Sequence, residues 1–475
     1  MIALTVLLPL LAALTLGFTL TPLRGAYANL AVSALLFLLT LAVPASPGTF
    51  LLHADPLAMI FGILTGFLGL THAVASLAYV RAERQQLSLR SWRAYHASAQ
   101  ALLGFTLLGL YADNIALLWL AAEGVLIAAC LGVGLKRRSA ALKAAWKFFI
   151  LGGAGIALAL FGSLIVYLAA QPALGPGLQA MSFAALTSHA AHLDGRLMTL
   201  AFVFLLFGYG TQAALTPLHS WLPDACAEAP APLGATLSAL LLNMPLIAIL
   251  RFRHLVEAAP GAMKPGPFLL ALGLASLLLA AFSLRRTRDS RRFFGFSSVL
   301  HSGLTAFAFG IGGAPAIFAG LLQMLLHSLI KSALFQALIR AAALRGGAAN
   351  FSFHRLRGLP ATNKTLGWLL GLSIFALTGL PPSGLFTSEF LIASQTIQRM
   401  PLLSLPLGLG LLISAIAIIR LLGPLLFDPP PGRARQKSGI DTGLIFLNLL
   451  AALVLAFAMP WPLVRTLSSI AGALQ

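Results

Sequence analysis

The sequence predicts an all-α polytopic membrane protein, and three observations carry that prediction. The 475 residues are 59% hydrophobic and only 9% charged, against about 25% charged in a soluble globular domain. Apolar runs of roughly 20 residues, the length that crosses a bilayer as a helix, recur from one end to the other. The cations gather in the short loops between these runs, and no interval is long enough for a soluble domain.

Taken in order between turn and charge signals, the runs give fourteen helices. The first three lie near 2–20, 26–43 and 57–80. The opening run "MIALTVLLPLLAALTLGF" lacks the basic residues of a cleaved signal, so it counts as a span. Five more follow near 95–112, 115–135, 144–170, 197–217 and 233–252, and five near 267–284, 293–313, 315–340, 366–398 and 402–427. The last lies near 442–465.

The positive charges test the count. Loops on one side carry Arg24; Arg81, Arg84, Arg90 and Arg93; Lys136, Arg137, Arg138 and Lys143; and Arg285, Arg286, Arg288, Arg291 and Arg292. The same side receives Arg345, Arg355, Arg357 and Lys364, and then Arg433, Arg435 and Lys437. The other side has Arg196, Arg251, Arg253, Lys264, Arg399 and Arg465. Such asymmetry is the positive-inside rule. It puts both termini on the non-cytoplasmic side, and the expected location is the cytoplasmic (inner) membrane.

Two helices are interrupted by proline. The seventh breaks at Pro217, with Pro223 close behind, and the twelfth at Pro381-Pro382. If helices 1–3 fill residues 1–94, then 95–252 (helices 4–8) and 267–427 (helices 9–13) form two five-helix units, and helix 14 occupies 442–475. Each break then falls on the fourth helix of its unit, the sequence pointer to inverted repeats with a transport site at the breaks. Backbone freed at membrane depth is tolerated only where protein or a water-lined cavity receives it.

Ionisable residues within spans are costly, about 2.5–3.5 kcal/mol each on the insertion scale, and so mark function. Glu123 sits mid-span with no cation in its own helix. Gln323, His327 and Lys331 are spaced i, i+4, i+8 and share one helical face, a stepping line for protons. Glu389 follows the second proline break as the acidic end of that line. Asp289 opens a helix whose Ser298, His301, Ser302 and Thr305 form a polar stripe able to hold water or bond neighbouring helices.

Other chemistry is excluded. The two cysteines, Cys130 and Cys226, belong to no metal-ligand spacing, and no CxxC, HExxH or GxGxxG context occurs. No cofactor or metal is expected, and no iron–sulfur, nickel or flavin ligand set is present. The net charge of +19 is spread over loops rather than gathered in a patch, which argues against nucleic acid.

The strings "PLHSWLPDACAEAPAP", "DSRRFFGFSSVLHSG", "LHSLIKSALF" and "GLPPSGLFTSEF" together resemble the antiporter-like membrane subunits of complex I, Mrp cation/proton antiporters and group 4 hydrogenases. "ALKAAWKFFILGGAGIALALFGSLIVY", "LFGYGTQAAL" and "LLLNMPLIAILRF" are most similar to hydrogenase-4 component F. The resemblance implies fourteen helices, inverted repeats and proton translocation along a central polar axis. It puts the family's fifth-helix Glu on Glu123, its eleventh-helix His and Lys on His327 and Lys331, and its twelfth-helix acid on Glu389. His219, Trp221, Pro223 and Asp224 match its HTWLPDAH-type motif.

The sequence also departs from the family. Gln212 stands where a lysine is usual, Cys226 replaces the second motif histidine, and Asn243 takes the place of an eighth-helix lysine. An amide cannot be a charged partner for Glu123, though it can bond it and order water.

The expected role is a proton-translocating membrane-arm subunit of a complex I-like or hydrogenase-like oxidoreductase. Its expected partners are other membrane subunits, a peripheral redox arm, the bilayer, and protons or sodium ions. The alternatives are a cation/proton antiporter subunit, a module of a proton-driven anion or inorganic-carbon uptake system, and a non-conducting scaffold.

Overall fold

Prolines and polar caps, more than changes in hydropathy, set where the helices begin and end. The structure is a computed structural model that describes residues 1–18, 21–43, 51–83, 85, 87–345, 351–431 and 441–474. Arg84, Arg433, Arg435 and Lys437, the last two residues of the first expected span, and Gln475 fall outside the described residues.

The N-terminal helices are α1 (Ile2–Leu16), α2 (Pro22–Leu41) and α3 (Pro56–Glu83). After them come α4 (Leu89–Tyr111), α5 (Ile115–Val133), α6 (Ser139–Leu174), the short α7 (Phe183–Ser188) and α8 (Gly195–Gln212). Next are α9 (Trp221–Glu228), α10 (Ala231–Ala239) and α11 (Asn243–Glu257), then α12 (Gly266–Leu284), α13 (Ser290–Ile311) and α14 (Ala314–Leu344). The last third holds α15 (Leu359–Thr362), α16 (Lys364–Ala376), α17 (Gly384–Arg399), α18 (Ser404–Ile419), α19 (Leu422–Phe427), α20 (Asp441–Phe457) and α21 (Trp461–Ala473).

Each expected segment coincides with a helix or a helix pair. Among the described residues, nine spans are long and apolar enough to cross a bilayer, with α10–α11 and α18–α19 each counted as one, and a tenth arises if α20 and α21, bent by 68°, are taken together. The α20–α21 bend replaces the single final helix expected from the sequence. Caps explain the starts: Asn114 accepts the N–H groups of Ala116 and Leu117, Asp194 those of Arg196 and Leu197, and Ser383 that of Phe386. Asp289 caps α13 by accepting the Arg292 N–H, one position before the first turn where the sequence puts it.

Close helix pairs use small residues. Gly273 and Ser276 of α12 abut Gly303 of α13, and Gly155 and Ala159 of α6 abut Thr211 and Gly208 of α8. Close backbone approach of this kind is how helices associate in lipid. α14 lies at the centre, packed on α3, α10, α13, α16, α17, α20 and α21.

The loop cations fall into two groups. Lys136, Arg138, Arg286, Arg288, Arg291 and Arg292 converge at one end. At the other, Arg251 pairs with Asp55 at 2.8 Å, Arg253 donates to the Leu474 carbonyl and Arg399 to that of Gly312.

Candidate functional site

The polar face of α14 is buried along its length. Gln323, His327, Ser328, Lys331, Ser332 and Gln336 are all at most 5% exposed. The i, i+4, i+8 spacing therefore faces protein. At the α17 end of this column Ser388 Oγ donates to Gln323 Oε1 (2.5 Å), and Gln323 Nε2 donates to His301 Nδ1 of α13 (3.0 Å). Glu389 Oε1 lies 3.7 Å from the same His301 nitrogen. The rings of His301 and His327 are 5.2 Å apart, and the Nε2 atom of each is buried without a hydrogen-bond partner among the described residues. One turn further on, Lys331 Nζ donates to the Phe294 carbonyl (2.7 Å) and sits over the Phe294 ring.

The proline breaks separate α8 from α9 and α16 from α17. Thr216-Pro217 and Pro381-Pro382 are both cis. The backbone groups freed at the first break find protein partners. Trp221 Nε1 donates to the Thr211 carbonyl, Ser302 Oγ of α13 to the Ala213 carbonyl, and the Thr216 N–H to Ser276 Oγ. Trp221 also stacks on Phe148 at 3.8 Å. Pro223 is not part of the break. It lies in the first turn of α9, where a missing N–H costs nothing. His219 is buried and 3.4 Å from Thr216 Oγ1, while Asp224 pairs with Lys147 (2.9 Å) and Arg292 (3.2 Å).

The first half of the expected line is less complete. Gln212 is buried, but its Nε2 donates to the Ala122 carbonyl (2.7 Å) and its Oε1 has no partner among the described residues. The expected bond to the Glu123 carboxylate is not made. Glu123 is half-buried, on the flank of α5 that carries the exposed Leu120, Ile127 and Leu131, with no ion pair or hydrogen bond among the described residues. Asn243 opens α11 and donates to Ser328 of α14 (2.9 Å), which ties it to the column rather than to Glu123.

Three features escaped the sequence reading. His72 of α3 bridges Thr236 of α10 and Ser332 of α14, both at 3.0 Å; a histidine inside an apolar run was the available signal. The eighth segment is broken between α10 and α11 at Leu240–Leu242, announced by Pro245 two residues into α11. Gly379, in the second break, has φ +66°, and a β-carbon there would collide with the Glu389 carboxyl. Among the described residues no group of three His, Cys, Asp or Glu is placed to hold a metal ion.

Comparison with known proteins accords with this geometry. The chain is 45% identical over 414 residues to a hydrogenase-4 component F homolog of Methylacidiphilum infernorum, covering 87% of this chain and 85% of that one. A chain of the membrane-bound sulfane sulfur reductase, an archaeal respiratory membrane complex, superposes with a TM-score of 0.84 at 20% identity, covering 100% of this chain and 97% of its own. A chain of respiratory complex I from Thermus thermophilus with bound NADH superposes with a TM-score of 0.80 at 22% identity, covering 100% and 99%. At those identities the likeness establishes the shared fold. The family model for the transmembrane region of NADH:quinone oxidoreductases and Mrp antiporters matches residues 112–414, and the chain belongs to that family.

Proposed function

We propose that this chain is a proton-conducting membrane-arm subunit of a complex I-like or group 4 hydrogenase-like oxidoreductase. In this reading the chain makes fourteen crossings arranged as two inverted five-helix repeats. It sits in the cytoplasmic membrane with both termini on the non-cytoplasmic side. Metal and flavin chemistry belongs to partner subunits, and protons, or sodium ions coupled to them, are what this one moves.

The observation that carries the reading is the buried relay Ser388–Gln323–His301, with Glu389 and His327 against the same imidazole. His301 Nδ1 accepts from the Gln323 amide while neutral; a proton arriving on that nitrogen turns it into a donor toward Glu389. Water joining the unpartnered Nε2 atoms of His301 and His327 would carry the line on toward Lys331. Moving a charge against about 150 mV costs about 3.5 kcal/mol, at about 2.3 kcal/mol per 100 mV. Buried groups held by polar neighbours rather than by bulk water are what could couple to such a step.

Glu123 supports the assignment of partners. A carboxyl on the outward flank of α5 is costly against hydrocarbon, and a neighbouring membrane subunit covering that flank removes the cost. One observation favours a second reading. Gln212 is bonded to a backbone carbonyl, which suits a scaffold whose first half does not conduct.

The test is Glu389→Gln in the reconstituted complex. The expected result is loss of coupled proton movement with assembly intact. Unchanged coupling would remove Glu389 from the path, and a parent complex in which deleting this subunit's relay leaves all proton movement in place would favour the scaffold.

A further inference from the structure

At the arginine-rich end of the bundle, the ends of α6, α9, α12 and α13 enclose a cavity of about 780 Å³. Its wall carries six cations, Lys136, Arg138, Arg286, Arg288, Arg291 and Arg292, against only Glu228 and Asp289. Part of this charge is already engaged. Arg292 pairs with Asp224, and Lys136 and Arg291 both donate to the Ala229 carbonyl at the end of α9. Asp289 is occupied in capping α13.

Three of the six cations are not engaged. Arg138, Arg286 and Arg288 make no ion pair or side-chain hydrogen bond among the described residues. Arg291, besides its bond to Ala229, is 6% exposed, rests on the Phe351 ring and keeps a buried Nε donor without a partner among the described residues. Loop arginines that only orient a chain in the membrane need no common cavity. Here they share one.

A second cavity, about 620 Å³, runs from the first along the outward side of α12. Ser283 and Arg286 line both, and the second is completed by Arg285 and by Leu279 and Phe282, both exposed. A basic recess thus adjoins a second space where the exposed apolar side chains of Leu279 and Phe282 lie next to Arg285 and Arg286. A free anion would use only the recess. An acidic loop of a protein partner would have no use for a groove running along the flank. A molecule with an anionic head and an apolar tail uses both.

We infer that the two cavities form one binding site for an anionic phospholipid, its phosphate headgroup among Arg138, Arg286, Arg288 and Arg291 and an acyl chain against Leu279 and Phe282. Basic pockets between helix ends on the arginine-rich side of a membrane protein are suited to such headgroups. None of the residues of this site belongs to the buried relay on α14, so the inference stands whether or not that relay conducts.

The test uses the purified full-length chain in detergent. Phe282→Trp adds a reporter in the groove, read as the difference in fluorescence from the parent chain, and lipids brominated on the acyl chain quench it. Brominated phosphatidylglycerol should half-saturate at a concentration at least ten-fold below brominated phosphatidylcholine. Adding Arg286→Ala and Arg288→Ala should abolish the preference, while Arg196→Ala with Lys264→Ala, at the opposite end, should leave it unchanged. Arg286→Lys with Arg288→Lys should keep it within about three-fold, so the site remains testable if the alanine variant misfolds.

Equal quenching by the two lipids in the parent, or a preference that survives the alanine pair, would overturn the inference. Inorganic phosphate at tens of millimolar displacing phosphatidylglycerol would reduce the site to one for a free anion. An alanine pair that keeps the lipid preference but no longer co-purifies with a neighbouring subunit would make this a protein interface instead.

Discussion

Gly379→Ala tests the geometry of the buried acid directly. Gly379 has φ +66°, and an added β-carbon would collide with Glu389 Oε2 and lie 2.5 Å from its Cδ. Two penalties are therefore separable. The left-handed backbone costs a non-glycine residue about 1–2 kcal/mol. The collision adds about 1–3 kcal/mol if the neighbour cannot move. The obstructing atom is the tip of a flexible side chain, so the carboxyl should swing aside and leave mainly the backbone cost. That swing takes Glu389 off its 3.7 Å approach to His301.

The expected outcome is a destabilisation of about 1–2 kcal/mol together with a large loss of proton movement. Thermal unfolding in detergent and proton uptake by reconstituted complex measure the two effects. Repeating Gly379→Ala in a Glu389→Ala background completes a double-mutant cycle, in which any stability cost from the collision vanishes and the backbone cost remains. Equal cost in both backgrounds, with proton movement untouched, would refute the placement of the carboxyl against Gly379.

The remaining predictions concern the first half and its surroundings. Gln212→Lys sets an ammonium beside the Ala122 carbonyl, one residue from Glu123; the Glu123 carboxyl infrared band should shift on titration, and no shift would mean the two do not interact. Ser302→Ala leaves the Ala213 carbonyl of the first break without its partner; unfolding should move by about 1–3 kcal/mol, the cost of an unsatisfied buried group. Asp224→Asn removes both ion pairs of that residue; the pairs are partly exposed, so the loss in thermal unfolding should stay below about 1 kcal/mol each.

What the sequence disclosed and what it withheld follow from the physics of each element. The polar column of α14 was legible because a helix has a fixed period, and i, i+4, i+8 needs no knowledge of the neighbours. The breaks at Pro217 and Pro381-Pro382 were legible because proline cannot donate. The pairing of His301 with Glu389 was not, since it depends on how α13 and α17 pack. Neither was the direction of Glu123. α5 is apolar on every side, so no periodicity separates its outward flank from its inward one, and the Gln212–Glu123 bond expected from motif positions gives way to a backbone contact. Pro223 was misjudged for a related reason: a proline in the first turn of a helix looks, in sequence, like a proline that ends one.

α13 reaches toward both proline breaks by consecutive residues. Ser302 holds the Ala213 carbonyl at the first break, and His301 beside it reaches Gln323 and Glu389 at the second. Any rearrangement of the α8–α9 break that pulls on Ser302 must move the backbone that carries His301, through covalent bonds rather than a chain of soft contacts. A first half that lacks the usual lysine could in this way still bias the second without passing a proton itself. Ser302 is the discriminating residue because its hydroxyl lies outside the relay. If Ser302→Ala lowers proton movement beyond what its stability loss explains, α13 transmits between the halves. If movement is unchanged, they act independently, and Gln212 marks a half that only supports the fold.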